Sequence, residues 1–410
     1  MGKKNDLVVG LDIGTTKVCA IVGEIRNESI DIIGIGSHPS RGLKKGVVVN
    51  IEGTVDSIRR AVEEAELMSG EDIRSVYVGI AGGHIKGFNS RGVIAIKDKE
   101  IKESDIKRVI DAAAAVSIPV DREILHVLPR EYIIDEQEGI KEPLGMSGVR
   151  FEAEVHIVTG AVTLVQNLIR SCQKAGLDVM DIVLQPLASG EAVLSNEEKE
   201  LGVVVIDLGG GTTDIAIFLE GGIWHTGVLA VGGNNFTNDI AIGLRTPSIE
   251  AEKIKKKYGC AYTELVREDE TIEVPGVGGR LPRILQRRNL SEIIQPRAEE
   301  IFELVMREIK RTGYEDMIAS GAVITGGTAI MEGIPEVAEQ VLDLPVRRGI
   351  PANIGGLVDV VSNPMYATGV GLVFYGAGEA KESMRKRFSG DNIFGRVLGR
   401  MREWFEGFFL

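Results

Sequence analysis

The chain carries the same hairpin pattern twice. Residues 7–22 are LVVGLDIGTTKVCAIV and residues 203–218 are VVVIDLGGGTTDIAIF, each an apolar run, an Asp, a Gly/Thr turn and a second apolar run. This pattern is typical of two buried strands joined by a tight turn, whose glycines let a ligand approach bare backbone N–H groups. Asp12 and Asp207 lie at corresponding places 195 residues apart. The repeat therefore predicts two similarly folded halves that grip one nucleotide phosphate chain across a cleft.

Composition limits the class of protein. The 410 residues include 51 glycines and 13 prolines, which favours an ordered α/β protein with many tight turns. A formal charge of −13 argues against general nucleic-acid binding, which begins with Lys and Arg neutralising phosphates. Three scattered cysteines, Cys19, Cys172 and Cys260, predict buried free thiols in a reducing compartment. Neither a signal peptide nor an apolar run of about 18 residues is present, so no membrane-spanning segment is expected.

Strand and helix patterns alternate through most of the chain, which predicts α/β lobes. A segment with its own strands and a helix starting near Ser104 interrupts the first lobe and is interpreted as an inserted subdomain. A second insertion, rich in charge, Gly and Pro, is expected to end at a helix from Pro296 to Arg311. The predicted units are the lobe 1 core (1–83 and 161–196, with a return at 367–380), the inserted subdomain (84–160), the lobe 2 core (197–244 and 296–366), the second insertion (245–295), a linker (381–391) and a terminal helix (392–410).

Four segments combine into a candidate nucleotide site. Two are the hairpin turns, each with a carboxylate, Asp12 or Asp207. Paired carboxylates beside a phosphate loop suit Mg²⁺, which prefers oxygen ligands and keeps waters. The third segment runs as a strand into Gly326 and Gly327, and the fourth places Gln185 at a strand-to-helix junction. The turn residues are Gly14, Thr15, Thr16 and Lys17 in the first hairpin, and Gly209, Gly210, Gly211, Thr212 and Thr213 in the second.

Each of these features also has an ordinary structural explanation. A single Gly/Thr turn is common, Asp12 could cap its own turn, and Lys17 could be solvated. Asp214 is interpreted as a supporting residue or a turn residue rather than a reactant. Two copies of the turn together with the other two segments favour phosphate binding. Other phosphate sites fit poorly, because the chain lacks the Gly-Lys-Ser/Thr ending of a P-loop and its turns lead into strands rather than into the helix of a dinucleotide fold.

These four segments resemble the phosphate, connecting and adenosine motifs of the actin and heat-shock-chaperone ATPase superfamily. Within it, the chain from Val8 to Leu410 resembles the FtsA family of bacterial cell division proteins, including residues 203–218, VITGGTAIMEGI at 323–334 and LQRRNLSEIIQPRAEEIFELV at 285–305. The resemblance implies an actin-like, two-lobed ATPase fold of the α/β class with duplicated β-sheet cores and ATP and Mg²⁺ between the lobes. It also implies that the inserted subdomain is peculiar to this family and contacts neighbouring subunits in a filament.

The resemblance further implies roles for individual residues. Asp12 and Asp207 would order a hydrated Mg²⁺. Gln185 aligns with the position that orients the attacking water, where chaperones have a Glu. An amide cannot take up a proton, so hydrolysis is expected to be slow and the nucleotide to act mainly as an assembly switch. Phosphates would be clasped by Gly14, Thr15, Thr16, Gly210, Gly211 and Thr212; adenosine would be lined by Gly326, Gly327 and Ala329; and Gly233, Asn234, Glu252, Lys253, Arg297 and Glu300 would surround ribose and base.

The C-terminal residues 392–410 have the pattern of an amphipathic helix. Their large apolar residues recur at steps of three and four, opposite a face that carries Arg and Glu, and the segment from Lys381 onward has a net charge of +3. A basic helix with Trp and Phe fits the membrane interface, although docking on the protein's own surface or on a partner helix remains the alternative. One anchor would hold weakly, whereas a polymer presents many. The predicted membrane face comprises Ile393, Phe394, Val397, Leu398, Met401, Trp404, Phe405 and Phe408.

Arginines cluster where the second insertion returns to lobe 2. A solvated charged face is the simplest explanation. The family resemblance implies instead that this region receives the acidic C-terminal tail of FtsZ, with Arg288 and Arg297 as the first candidates. The cluster consists of Arg280, Arg283, Arg287, Arg288 and Arg297.

The whole pattern predicts an ATP-binding actin-like protein of bacterial cell division. It is expected to polymerise on the cytoplasmic face of the plasma membrane at the septum as a peripheral protein, to anchor the FtsZ ring there, and to bind other division proteins. The alternatives are a pilus-assembly or shape-determining actin homologue and a sugar or acetate kinase. The kinase would need a base Asp and a polyol pocket, neither of which is evident in the sequence.

Overall fold

The computed structural model describes residues 7–26, 29–278 and 280–389. The strands are β1 (Leu7–Ile13), β2 (Lys17–Arg26), β3 (Ser29–Pro39), β4 (Leu43–Lys44), β5 (Val47–Val48), β6 (Ser75–Ile80), β7 (Lys86–Ala95), β8 (Arg122–Ile134), β9 (Gln137–Ile140), β10 (Arg150–Ala161), β11 (Asp178–Leu184), β12 (Val203–Leu208), β13 (Thr213–Leu219), β14 (Gly222–Leu229), β15 (Thr271–Val274), β16 (Arg283–Gln286), β17 (Ala322–Thr325), β18 (Val346–Arg348) and β19 (Gly355–Gly356). The helices are α1 (Ile51–Ser69), α2 (Glu103–Ala114), α3 (Val162–Lys174), α4 (Gln185–Val193), α5 (Asn196–Leu201), α6 (Gly233–Gly243), α7 (Ser248–Tyr258), α8 (Arg287–Thr312), α9 (Ile334–Leu342), α10 (Val358–Val361) and α11 (Ala367–Ser389).

Two large sheets form the cores of the two lobes. The lobe 1 sheet has the strand order β11-β6-β1-β2-β3-β19, and the lobe 2 sheet has the order β14-β13-β12-β17-β18. Both predicted hairpins are confirmed as antiparallel pairs, β1 with β2 and β12 with β13. Asp12 pairs with Cys19 and Asp207 pairs with Asp214, in each case one step before the last pair at the turn. The two halves therefore repeat the same geometry, as the sequence predicts.

The central hairpins are apolar because both faces of each sheet are covered. Every residue of β12 and β13 is buried, as expected of strands sandwiched between packed layers. Helix α11 crosses lobe 1 so closely that a Cβ on Gly371 would lie 1.7 Å from the carbonyl oxygen of Ala188 in α4. A glycine is therefore required where these two helices cross. The contact fixes α4, which joins the two lobes.

The inserted subdomain has its own sheet and core. Its strands lie in the order β7-β10-β8-β9, and α2 packs on one face of them. The subdomain contacts lobe 2 as well as lobe 1, because β7 and β8 pack against β14. At this contact the guanidinium of Arg130 lies 3.9 Å from the ring centroid of Trp224. The boundaries of the predicted units, including this one, stay predictions.

One predicted helix start is wrong, and most of the predicted linker is helical. The returning helix begins at Arg287, not at Pro296, which lies within α8. A proline inside a helix removes one hydrogen bond, but the buried Leu290 and Ile294 hold the preceding turns in place. The predicted linker at 381–391 is helical as far as Ser389, because it continues α11 without Gly or Pro before that point and is rich in Lys, Arg, Glu and Met, which favour helices.

All three cysteines are free and buried, as predicted. Within the described part of the chain, no helix combines the length and the hydropathy needed to cross a membrane. The predicted terminal helix at 392–410 lies outside the described residues.

Candidate functional site

The two hairpin turns lie directly against each other where the lobes meet. A Cβ placed on Gly210 would be 2.5 Å from Cγ2 of Thr16, and one on Gly211 would be 2.6 Å from Oγ1 of Thr15. Contacts this short would force the threonine side chains to move, so glycine is accommodated at these two positions without rearrangement. The predicted phosphate residues of both lobes therefore meet at one place.

Each turn is held in shape by backbone hydrogen bonds. The N–H of Gly14 donates to the carbonyl of Lys17 at 2.9 Å, and the N–H of Gly209 donates to the carbonyl of Thr212 at 3.0 Å. Thr213 is tied down separately, because its hydroxyl donates to the Val231 carbonyl at 2.9 Å. With their ends closed in this way, the turns leave glycine backbone facing the opposite lobe. Backbone N–H groups in such turns are suited to bind anionic oxygens.

Three carboxylates lie behind the turns. Asp12 is partly exposed, whereas Asp207 and Asp214 are 7% and 2% exposed. Burial raises the pKa of Asp12 to about 6; Lys17 opposes this shift and Asp207 adds to it. Burial also raises the pKa of Asp207, and it raises that of Asp214 well above its usual range, with the charge of Asp207 as the second cause. Burial therefore disfavours the charged forms of all three carboxylates.

Hydrogen bonds orient these carboxylates. The hydroxyl of Thr368 donates to Asp207 at 2.9 Å, and that of Thr212 donates to Asp214 at 2.9 Å. The second oxygen of Asp214, Oδ1, is buried without a hydrogen-bond partner. Asp214 thus supports the second turn through Thr212, in keeping with its predicted role behind the site.

Gln185 lies beside the first carboxylate. It is the first residue of α4, and its Nε2 donates to Oδ1 of Asp12 at 3.0 Å. One turn along the same helix, the hydroxyl of Ser189 donates to the Gln185 carbonyl at 3.1 Å, and the same residue opposes the rise in the pKa of Asp207. Helix α4 therefore connects the carboxylates of the two lobes. The predicted strand-to-helix junction lies where the sequence indicates.

The third segment packs against the second turn. Gly326 has φ +89°, and a Cβ there would lie 2.4 Å from Oδ1 of Asp207. The hydroxyl of Thr328, in the 3-10 turn Gly327–Ile330, donates to the Gly209 carbonyl at 3.0 Å. Ala329 in this 3-10 turn is fully buried. A Cβ on Gly327 would have only one neighbour within 4 Å, so the space beside Gly327 is open, unlike that beside Gly326.

The residues predicted around ribose and base fall into two groups. The N–H of Gly233 donates to the Gly209 carbonyl at 2.9 Å, and that of Asn234 donates to the Gly210 carbonyl at 2.7 Å. The start of α6 is therefore part of the site. Lys253 is not brought to it, because its ammonium pairs with Glu250 on the exposed side of α7 at 2.8 Å.

Lys255, on the same helix, contacts the start of α6 instead. Its ammonium donates to the Gly233 carbonyl at 2.9 Å and pairs with Glu252 at 2.7 Å. Glu252 also accepts from the hydroxyl of Thr237. Helical phase could have found this residue, because Lys255 lies four positions after the buried Ala251.

Arg297 and Glu300 pair with each other, and Arg297 also binds Asp239 of α6 at 2.6 Å. This network connects α8 to α6, whose first residues hydrogen-bond to the second turn. Arg288, by contrast, has a side chain 43% exposed and a 3.4 Å ion pair with Glu292. The two arginines proposed for partner binding therefore lie in different surroundings.

The Lys17 ammonium points to the start of α11. It donates to the Met365 carbonyl at 2.6 Å and lies 4.3 Å from the centroid of the Tyr366 ring. In the structure it therefore contacts protein groups rather than solvent alone. Sequence reasoning missed Thr368, Ser189, Thr328 and Lys255. Single Ser and Thr side chains without a motif carry no signal of their own, whereas the helical phase indicates Lys255.

Comparison with known proteins gives one family. Residues 204–371 match the family described as "Cell division protein FtsA", and residues 82–159 match the "SHS2 domain inserted in FTSA". The chain is 53% identical to the cell division protein FtsA of Pseudomonas aeruginosa, over 98% of both chains. It is 43% identical to that of Escherichia coli, over 97% of both chains.

Solved structures share the fold at much lower identity. The PilM-PilN type IV pilus biogenesis complex matches with a TM-score of 0.64 at 16% identity, covering 90% of this chain and 98% of that one. MreB5 of Spiroplasma citri bound to ADP matches with a TM-score of 0.56 at 16% identity, covering 94% and 99%. These likenesses establish the actin-like fold that the sequence predicts.

Proposed function

The chain belongs to the FtsA family of cell division proteins, and from this premise we propose that it binds ATP with Mg²⁺ between its lobes, polymerises, and anchors FtsZ filaments to the cytoplasmic membrane. The observation that carries the nucleotide part is the contact of the two glycine turns, with a carboxylate of each lobe behind it. A triphosphate between the turns would be bound from both sides.

The donor set fits a hydrated Mg²⁺. Burial raises the pKa values of Asp12 and Asp207, and the charge of Asp207 adds to the shift of Asp12; a divalent cation beside them would favour their ionised forms. When bound, the ion supplies charge neutralisation for the phosphate oxygens. Asp12 would hold its water shell from lobe 1 and Asp207 from lobe 2. Gln185 would orient a water through its amide without accepting a proton, so hydrolysis is slow and the nucleotide serves mainly as an assembly switch.

Residues 392–410 are proposed to bind the membrane interface. Removing them is expected to lower the fraction that sediments with anionic lipid vesicles by at least about tenfold, because the apolar face supplies the binding energy. Nucleotide affinity should not change. A point variant sharpens the test: Trp404→Glu on the apolar face should act like the deletion, whereas Glu406→Gln on the polar face should sediment at least as well as wild type. Equal sedimentation of all four proteins would contradict the proposal.

The FtsZ tail is proposed to bind beside Arg288. The neighbouring cleft, about 400 Å³, carries Glu264, Glu292 and Glu299, so an acidic tail would contact the exposed edge of Arg288 rather than enter the cleft. The mutual pairing of Arg297 with Asp239 and Glu300 makes it a structural residue first.

Arg288→Glu is therefore expected to weaken binding of an FtsZ tail peptide by about fivefold or more, and more at low salt than at high salt. Arg307→Glu makes the same charge change on an exposed residue of the same helix, about 28 Å further along it, and should leave the affinity unchanged. Fluorescence anisotropy with a labelled peptide measures both. Equal weakening by the two variants would show that the tail responds to the overall charge of the protein and does not bind at Arg288.

Other functions lack a supporting observation. The structural likeness to pilus and shape-determining proteins lies at 16% identity, whereas the FtsA relatives lie at 43–53%. The experiment that tests the whole proposal is sedimentation of the full chain with vesicles and an FtsZ tail peptide, with and without Mg-ATP. Nucleotide-dependent recovery of the peptide in the pellet is expected.

A further inference from the structure

The inserted subdomain is joined to lobe 1 by a buried hydrogen bond. The backbone N–H of Leu184 donates to Nε2 of His126 at 3.1 Å. His126 lies on β8, opposite Val158 of β10, and is 8% exposed; Leu184 is fully buried. Leu184 ends β11, an edge strand of the lobe 1 sheet whose paired edge faces β6. The imidazole thus satisfies an amide that the sheet itself leaves free.

This contact requires a neutral imidazole with its proton on Nδ1, because Nε2 must accept. Burial lowers the pKa of His126, which keeps the ring neutral, and the charge of Asp181 opposes that shift. Asp181 is itself held by the hydroxyl of Tyr375 in α11 at 2.9 Å. A buried backbone N–H without an acceptor is costly, so loss of this ring would leave the Leu184 amide unsatisfied and weaken the end of β11.

The residue after Leu184 is Gln185. The end of β11 sets the first turn of α4, and from that turn the amide of Gln185 donates to Asp12. A shift of β8 relative to lobe 1 would therefore move the end of β11 and with it the Gln185 amide.

We propose that His126 is a positioning residue for ATP hydrolysis: it fixes the start of α4 so that Gln185 remains beside Asp12, and it makes this arrangement depend on the inserted subdomain. The inference rests on the proposed nucleotide function. Subunit contacts made by the subdomain would then affect the position of the Gln185 amide through this hydrogen bond.

A second contact of the subdomain provides a matched control. Nε2 of His156 on β10 lies 2.9 Å from the Thr226 hydroxyl on β14, which joins the subdomain to lobe 2 instead of lobe 1. Thr226→Val removes this bond but leaves the His126 contact intact. A general loosening of the subdomain would affect both variants, whereas the proposed role affects only His126.

The test compares wild type, His126→Leu, His126→Gln, Gln185→Ala and Thr226→Val. Single-turnover ATP hydrolysis followed over hours gives the rate, mant-ATP fluorescence gives the affinity, and hydrogen exchange of the peptide that spans Leu184 reports the amide. His126→Leu and Gln185→Ala should each slow hydrolysis about tenfold, with a Kd of His126→Leu for mant-ATP within about twofold of wild type. The amide should exchange faster in His126→Leu alone. His126→Gln, which keeps a neutral acceptor, and Thr226→Val should stay within about threefold of the wild-type rate.

The proposal is overturned by a wild-type rate in His126→Leu, by equal losses of rate and affinity in His126→Leu and Thr226→Val, or by a wild type without measurable hydrolysis. If His126→Leu does not fold, His126→Asn takes its place, because its shorter amide does not reach Leu184. A wild type that fails to bind mant-ATP identifies failure of the proposed nucleotide function itself.

Discussion

Gly210→Val is expected to weaken Mg-ATP binding by about 100-fold, which corresponds to about 2.7 kcal/mol. A Cβ on this residue would lie 2.5 Å from Cγ2 and 2.8 Å from Oγ1 of Thr16, in the space where the two turns face each other. The branched side chain would either push the lobes apart or fill the position of a phosphate. Both outcomes remove binding from one side of the cleft.

Isothermal titration with Mg-ATP measures this effect. Gly83→Ala is a suitable control, because a Cβ there meets no atom within 4 Å and the residue does not have the restricted positive φ. The control should bind as wild type does. Circular dichroism should show that both variants keep their secondary structure. Wild-type affinity in Gly210→Val would mean that the phosphates do not pass between the turns.

Asp12→Asn is expected to stabilise the nucleotide-free protein while abolishing its stabilisation by Mg-ATP. The pKa of Asp12 in the folded state is about 6, above the ordinary 3.8. A raised pKa means that the protonated carboxyl favours folding, a contribution that is complete below about pH 3.8 and is lost as the pH rises through 6. At pH 8 the ionised Asp12 therefore costs up to about 2 kcal/mol after allowance for its partial exposure.

The asparagine variant lacks this cost, so its thermal midpoint without nucleotide should exceed that of wild type at pH 8. The difference should shrink as the pH falls from 6 toward 3.8. Saturating Mg-ATP should raise the midpoint of wild type and leave the variant nearly unchanged, because ligand binding stabilises only a protein that binds. A variant that is less stable than wild type at pH 8, or that still responds fully to Mg-ATP, would show that Asp12 has another role.

The sequence was sufficient to predict the duplicated hairpins. Their signal is local: an apolar run, a carboxylate and glycines at fixed spacing determine strands and turn together. Asp12 and Asp207 occupy matching positions in the two pairs for that reason. The placement of Gln185 at the start of α4 follows from the same kind of local pattern.

Features set by tertiary packing could not be predicted in this way. The predicted helix start at Pro296 is wrong because α8 passes through this proline, and its earlier turns are held by buried residues. Lys255 rather than Lys253 contacts α6 because of the phase of α7, which the family resemblance alone does not give. The hydrogen bond from Leu184 to His126 joins residues 58 positions apart and has no sequence signal at all.

The most direct test of the account is a structure determined with Mg²⁺ and a non-hydrolysable ATP analogue. It should show one analogue per chain, with its phosphates between Thr15 and Thr16 of one turn and Gly210 and Gly211 of the other, and with the hydrated ion beside Asp12 and Asp207. An analogue bound elsewhere, or turns that stay in contact at saturating ligand, would contradict the central claim.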